Sequence, residues 1–527
     1  MDEKIWGSVE EVHEHASKAV NKKIKDLVTN ETVQKYYANT NNKGWIGNAI
    51  ESDWFKVPNN SRKEADIPYL DLEIKVTPIR ETKKGWSAKE RLVLNIFDFN
   101  DEYKRNFLNA SFIEKSNLIE LLYYEYKKNV DSPNLKIKAA TLFNFDDLPE
   151  EDLLIIEQDW NIIIDKIKEG KAEELSDSLT KYLGATTKGS KTEKNLTKQP
   201  FSDVKAHRRA FTLKGAYMTE LAKKNMSFID EREKLIENVD DLKSNSFENI
   251  ILERFEPYIG NSKKEIAKAF NVAIPEKNDK ASSATLAKKM LNVKDKIENT
   301  EEFKKAGISV KILTINPKTK KSTEGFKIII PGEKSIEPEE IVKQHWDDSS
   351  LKEYLSSNQF LLVIFEENKD KVVFKGAKFW RVNYNDLETT IKDTWEETKS
   401  ILEDGVRLEY KKRQKPTSRG KLYEIYNNLP GIKDTKALHV RPSAKVSCYY
   451  NNPSQSMKLP NPSRWVNKPI HTDWIEGTKP LELPENELTE WYITKQLWWL
   501  NPIYMYEQVK EFFEEECGNN RCLKKKI

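Results

Sequence analysis

The stretch Asp66-Ile-Pro-Tyr-Leu-Asp-Leu-Glu73-Ile-Lys75 sets two carboxylates and a lysine at D-x6-E-x-K spacing. From Tyr69 to Ile79, Leu70, Leu72, Ile74 and Val76 alternate with Asp71, Glu73, Lys75 and Thr77, the period of a half-buried strand. Glu73 and Lys75 then project from one face, and Asp71, though acidic and adjacent, is expected not to be a ligand. Pro68 belongs to the turn entering the strand, which lets Asp66 come back beside Glu73. Two carboxylates suit a hard cation such as Mg²⁺, and a lysine beside them suits negative charge developing on a phosphate. Spacing alone is weak, since on the order of one such match arises by chance in so charged a chain. The bland alternative is a solvated edge strand whose charges pair at the surface.

Upstream of this stretch runs Lys43-Gly-Trp-Ile-Gly-Asn-Ala-Ile-Glu51, and downstream run Ser87-Ala-Lys-Glu-Arg-Leu-Val-Leu-Asn-Ile96, Ile119-Glu-Leu-Leu-Tyr-Tyr-Glu-Tyr126 and Lys205-Ala-His-Arg-Arg-Ala-Phe-Thr-Leu-Lys214. In this order the blocks resemble the mismatch-repair endonuclease MutH, and more closely the MutH-related type II restriction endonucleases that cut at GATC. The resemblance covers roughly the first 225 residues. It implies an α/β fold with a mixed sheet flanked by helices and Mg²⁺-dependent hydrolysis of double-stranded DNA. Asp66 and Glu73 would hold the metal, Glu51 would assist as ligand or orienter of water, and Lys75 would stabilise the attacking group. It also implies a recognition loop near Thr186-Thr-Lys188-Gly189 and a DNA contact near Phe211-Thr-Leu-Lys214. The chain departs from MutH at Thr212, where MutH has the tyrosine to which methyl sensing is attached.

The 527 residues exceed one ordinary core, so at least two domains are expected. With 88 basic and 85 acidic residues the net charge is only +3, so a DNA-binding face has to be local. It is placed between Leu183 and Met218, which is rich in lysine and arginine. Lys43, Lys115, Lys188, Arg208, Arg209 and Lys214 are the candidate DNA-binding residues of this part. No apolar run approaches the roughly 18 residues of a membrane span, and a cytoplasmic protein is expected. Cys448, Cys517 and Cys522 lack disulfide-framework or zinc spacing and read as free thiols. Gly184 to Ser190 lacks the P-loop lysine and reads as a loop, and His13 and His15 read as solvated.

Helices are expected over Ser8 to Val28, Lys43 to Trp54 and Pro149 to Glu169, the last stopped by Gly170. Strands Arg91 to Phe97 and Leu118 to Tyr126 are expected to flank the catalytic strand. A catalytic domain is assigned to 1–235, a linker to 236–246 and a second domain to 247–527. The second domain echoes the first. Tyr258-Ile-Gly-Asn261 follows Trp45-Ile-Gly-Asn48, Ala306 to Lys311 echoes Tyr69 to Lys75 near its end, and Trp395 and Gly405 repeat the interval between Trp160 and Gly170. Such ordered echoes point to duplication.

In the second copy Glu73 aligns with Ser309 and Asp66 with Glu302, so its metal chemistry is expected to be lost. Val440-Arg-Pro-Ser-Ala-Lys445 resembles the MutH recognition loop and Trp491-Tyr-Ile-Thr-Lys495 its tyrosine-bearing strand, making Arg441, Lys445 and Tyr492 candidate DNA contacts. The expected protein is a two-lobed GATC-specific endonuclease whose second lobe binds another site, with a dimer on DNA open. The alternatives are a strand-nicking repair enzyme and an idle DNA-binding protein.

Overall fold

The computed structural model describes residues 5–40, 42, 44–58, 63–82, 85–189, 195–226, 232–275, 280–323, 325–368, 371–412, 415, 423–468 and 488–514. The chain forms two compact units. The first comprises Met1–Pro257, Ala287–Val310 and Ser357–Leu361; the second comprises Tyr258–Leu286, Lys311–Ser356 and Leu362–Ile527. The architecture is α/β, with mixed sheets and flanking helices.

Among the described residues nine strands order the first unit: β1 (Leu72–Thr82), β2 (Gly85–Ala88), β3 (Leu92–Phe97), β4 (Leu118–Glu125), β5 (Lys136–Asn144), β6 (Leu183–Thr187), β7 (Leu196–Gln199), β8 (Ser202–His207) and β9 (Arg209–Leu213). One sheet runs β2-β1-β4-β5, with β1 parallel to β4 and the outer pairs antiparallel. β1 is therefore central, and Leu72, Ile74, Glu73 and Thr77 are all buried. The half-buried strand expected from alternation is thus covered on both faces, and its alternation separates an apolar face from a polar one. Leu72 and Ile74 face a core with Val12, Ala16, Trp45, Ile50 and Phe55, where truncation of either to alanine costs about 2–5 kcal/mol.

β3 was expected beside the catalytic strand, but it lies in a separate sheet, β3-β9-β6. Its neighbours in sequence give no information about pairing, which is settled by tertiary packing. The Gly184 to Ser190 segment is likewise not simply a loop, since it begins as β6. Helix Glu150–Lys168 buries Ile156, Trp160, Ile163 and Ile167, and Gly170 ends it at φ +69°. The first helix stops at Ser17 rather than Val28. The chain then bends through Asn21, at φ +67°.

Residues 236–246, expected as a linker, pack within the first unit. The Glu302 carboxylate accepts the amides of Leu235 and Ile236, and Gln158 Nε2 donates to the carbonyls of Leu242 and Asn245. A polar composition fits such a segment as well as it fits a linker, because its polar groups are spent on these bonds.

The second unit repeats the strand order of the first. Lys321–Ser322, Ser309–Asn316, Phe360–Asn368 and Lys371–Trp380 form one sheet in that order. Gln496–Leu500 lies between Phe326–Lys327 and Leu438–Pro442, antiparallel to both, as β9 lies between β3 and β6. Helix Lys392–Asp404 ends at Gly405, φ +88°.

Candidate active site

The loop into β1 is closed locally. Ile67 and Leu72 exchange backbone bonds of 2.9 and 3.3 Å, around a single 3₁₀ turn at Pro68–Leu70. Asp71 completes the turn at φ +49°, exposed to solvent. This folding back brings Asp66 against β1. Its amide donates to Glu73 Oε2 at 3.0 Å, and its Oδ2 accepts the amide of Ile74 at 3.0 Å. Each acid therefore positions the other through the backbone.

Lys75 Nζ donates to Glu73 Oε1, as strand alternation requires of residues two apart. Lys115, in the last turn of helix Ser111–Ser116, brings its Nζ within 3.8 Å of the same oxygen. Glu51 comes from a wide π-helical turn, Ile50–Trp54, that continues the helix Trp45–Ala49, with the Phe55 amide bonded to the Ile50 carbonyl. Such single-turn widenings recur at functional sites. Gly47 lies beside the Glu51 carboxylate, with Oε1 3.9 Å from where a Cβ would stand.

Electrostatics tie the three acids together. Burial, reinforced by the Asp66 charge, lifts Glu51 to about 7 against the pull of Lys75. Burial also raises Glu73, opposed first by Lys75. For Lys75 burial acts downward but is outweighed by Glu73, and the ammonium is held above its ordinary value. Both acids thus carry a desolvation cost that a cation would relieve.

Among the described residues no three acidic, His or Cys side chains are disposed to share one ion. The Asp66–Glu73 pair nevertheless fits Mg²⁺, which is commonly held by one or two carboxylates with phosphate and water completing the shell.

Glu51 gives a pH prediction for the metal-free protein. A carboxyl whose folded pKa is raised stabilises the fold in its protonated form, fully so below the unfolded value, and loses that contribution as pH rises through about 7. In EDTA the Tm is expected to fall between about pH 4.5 and about pH 7, and Glu51→Gln to flatten this slope. A Glu51→Gln profile as steep as wild type would place the titrating group elsewhere.

Asp71 gives another. It turns the chain and does not face Glu73, so Asp71→Asn, which tolerates the left-handed region, is expected to cut DNA within about twofold of wild type. A loss matching that of a metal ligand would overturn this placement.

The basic candidates separate into two groups. Lys188, half-buried, is depressed by burial and next by the charge of Lys75, which ties the end of β6 to the catalytic strand, and Arg208 is exposed. Arg209 and Lys214 are corrected: both are buried. Arg209 donates to Thr187 Oγ1 at 2.8 Å and to the Glu173 carbonyl. Lys214 donates to the Thr180 carbonyl at 2.9 Å, and burial lowers it to about 8. They brace the sheet behind the loop, and charge alone does not tell a bracing cation from a surface one. Lys43 lies outside the described residues, as do Cys517 and Cys522.

His13 and His15 are not simply solvated. His13 Nδ1 lies 3.0 Å from buried Glu120, and His15 stacks on Trp54. Sequence reading also passed over Asp159, buried in helix Glu150–Lys168. Its carboxylate accepts the amides of Lys181, Tyr182 and Leu183 at 2.6–2.9 Å and so fixes the entry to β6.

In the second unit strand Ser309–Asn316 takes the place of β1 in the sheet order, and Ser309, aligned by sequence with Glu73, is its first residue. Arg441 and Lys445 are exposed. Tyr492 is half-buried and pairs with Lys458 in a separate two-stranded ladder. The strand in the place of β9 is Gln496–Leu500, and register sets Trp499, not Tyr492, opposite the position of Thr212.

A central strand carrying a buried carboxylate and a lysine, with a second carboxylate folded onto it, defines a nuclease core of the restriction-endonuclease-like kind. Residues 55–159 match the family described as the DNA mismatch repair enzyme MutH. Over 515 residues the chain is 34% identical to the type II restriction enzyme Sau3AI of Staphylococcus aureus, covering 95% of this chain and 98% of that one. The chain belongs to the MutH-related type II restriction enzymes and is a site-specific deoxyribonuclease acting on double-stranded DNA. Among the described residues no helix is long and apolar enough to cross a membrane.

Proposed function

We propose that the first unit cleaves double-stranded DNA at GATC with Mg²⁺, and that the second unit is an inactive copy that binds a second site. The observation carrying the first part is the Asp66–Glu73 reciprocal bonding with Lys75 on Glu73. Asp66 and Glu73 would hold the metal, with Glu51 assisting. When bound, Mg²⁺ supplies Lewis-acid activation of water and neutralises charge on the phosphate. Glu51 would assist either as a further ligand or by orienting the attacking water. Lys75, anchored by Glu73, presents its remaining protons to the phosphate oxygens, and Lys115 adds a second positive charge. GATC specificity is supported by the residue-level resemblance around Glu51 to Lys75 and at Thr186 to Gly189.

The inactive reading of the second copy rests on the sequence alignment of Ser309 with Glu73. Its DNA-binding reading rests on exposed Arg441 and Lys445 beside strand Leu438–Pro442. One chain then supplies one cutting site for a palindrome, so two chains on the DNA or two successive events are needed to break both strands. Plasmids with one or two GATC sites, incubated with Mg²⁺, test the whole reading. Linear products are expected, with the two-site plasmid cut about tenfold faster or more through tethering. Arg441→Ala is expected to remove that advantage while sparing the slower one-site reaction. Equal wild-type rates on both plasmids would refute second-site binding, and sequence-independent cutting would refute GATC recognition.

A further inference from the structure

The strand in the place of β9 differs from its counterpart in what it carries. In the first unit Thr212 lies between Val93 and Gly184. In the second, Trp499 lies between Lys327 and His439. Side chains two apart along a strand share a face, so Arg441 joins the row that His439 opens. One face of this sheet therefore sets an indole between two cations, where the cutting unit has none of the three.

Both cations gather on the indole. Arg441 Cζ lies 5.1 Å and Lys327 Nζ 5.9 Å from its ring centroid, within the range over which a cation is drawn to a ring face. Gly325 holds the ring in place, because a Cβ there would meet two of its carbons at 2.7 Å. The indole Nε1 is shielded from solvent and has no hydrogen-bond partner among the described residues. An unmet buried donor is costly, and phenylalanine or leucine would fill the space without it. What tryptophan adds is the most attractive ring face for a cation.

Neither cation is neutralised. Among the described residues the side chains of Lys327 and Arg441 make no ion pair and no hydrogen bond, only their contacts with this ring. Two like charges drawn to one ring with no carboxylate beside them repel each other, and an anion relieves that repulsion. Arg441 is exposed and Lys327 half-buried, so both are open to one. A duplex backbone, with its closely spaced phosphates, answers both charges at once.

We infer that Lys327 is a DNA-backbone contact of the second unit and that Trp499 is a positioning residue, holding Lys327 and Arg441 towards one stretch of duplex. The inference deepens the proposed second-site binding and rests on it. Lysine suits phosphate as a point charge, and a guanidinium kept flat on a ring presents its in-plane donors to a phosphate or a base edge.

The test takes the ratio of cleavage rates on two-site and one-site GATC plasmids for the full-length chain with Mg²⁺, so that each variant's one-site rate is its own reference. Wild type is expected to show a ratio of about tenfold or more. Lys327→Gln and Trp499→Leu are each expected to bring it below about threefold, whereas Lys327→Arg and Trp499→Phe, which keep the charge and an aromatic face, are expected to hold about half of it or more. Leucine fills a packing role as well as phenylalanine does, so equal ratios for Trp499→Leu and Trp499→Phe would overturn the positioning role. A Lys327→Gln ratio equal to that of wild type would overturn the backbone contact. If Arg441→Ala loses the advantage while Lys327→Gln and Trp499→Leu keep it, second-site binding stands and this inference falls. A wild-type ratio of one would instead defeat second-site binding, and the inference with it. Should the Trp499 variants lower the Tm, Lys327→Gln against Lys327→Arg decides, equal ratios counting against the inference.

Discussion

Glu73→Gln is expected to lower kcat/KM for GATC cleavage by about 10³-fold or more while leaving DNA affinity within about threefold of wild type. Glu73 is 1% exposed and accepts from both the Asp66 amide and Lys75. Glutamine keeps the volume and an acceptor oxygen, so the turn remains closed. What disappears is the charge that balances a divalent cation. Titrating Mg²⁺ against Tm separates this from misfolding, because a cation that binds only the folded state raises Tm. Wild type should show the rise, and Glu73→Gln should match the metal-free Tm but show little rise. Activity within tenfold of wild type would remove Glu73 from the site.

Lys75→Ala is expected to cost about 10²-fold or more in kcat, through two effects with opposite consequences at high pH. Loss of the ammonium removes positive charge from the phosphate, which no change of pH restores. It also leaves buried Glu73 without its principal opposing charge, so the pKa of Glu73 rises further and metal binding requires higher pH. The variant's activity profile should therefore be both lower and displaced towards alkaline pH. A profile of wild-type height would exclude Lys75 from the chemistry, and a low but undisplaced one would separate it from Glu73.

Local signals were legible in the sequence. Alternation assigned Glu73 and Lys75 to one face, Pro68 gave the turn that returns Asp66, and helix Glu150–Lys168 followed from apolar steps of three and four. The repeated strand order of the second unit was foreshadowed by faint echoes. Non-local choices were not legible. Nothing in Leu92–Phe97 says that it leaves the catalytic sheet to pair with Arg209–Leu213. Arg209 and Lys214 are indistinguishable in sequence from surface cations, and only the carbonyls waiting for them in the fold turn them inwards. Nor does sequence say that Trp499 takes the register position that Thr212 has in the first unit. The π-helical turn under Glu51 has no pattern of its own, since one extra residue in a turn leaves composition unchanged.

The parallel pairing of β1 with β4 carries a consequence for how such an enzyme is made. Antiparallel neighbours can close through a short hairpin, but parallel ones wait for a long crossover, and here Leu72–Ile79 must wait for Leu118–Glu125. A nascent chain that ends before Leu118 already contains Glu51, Asp66, Glu73, Lys75 and Lys115. It still lacks the strand against which β1 is laid. Every acid and lysine of the site is therefore translated before the strand that β1 is laid against, so a chain stopped there carries the groups without the sheet that aligns them.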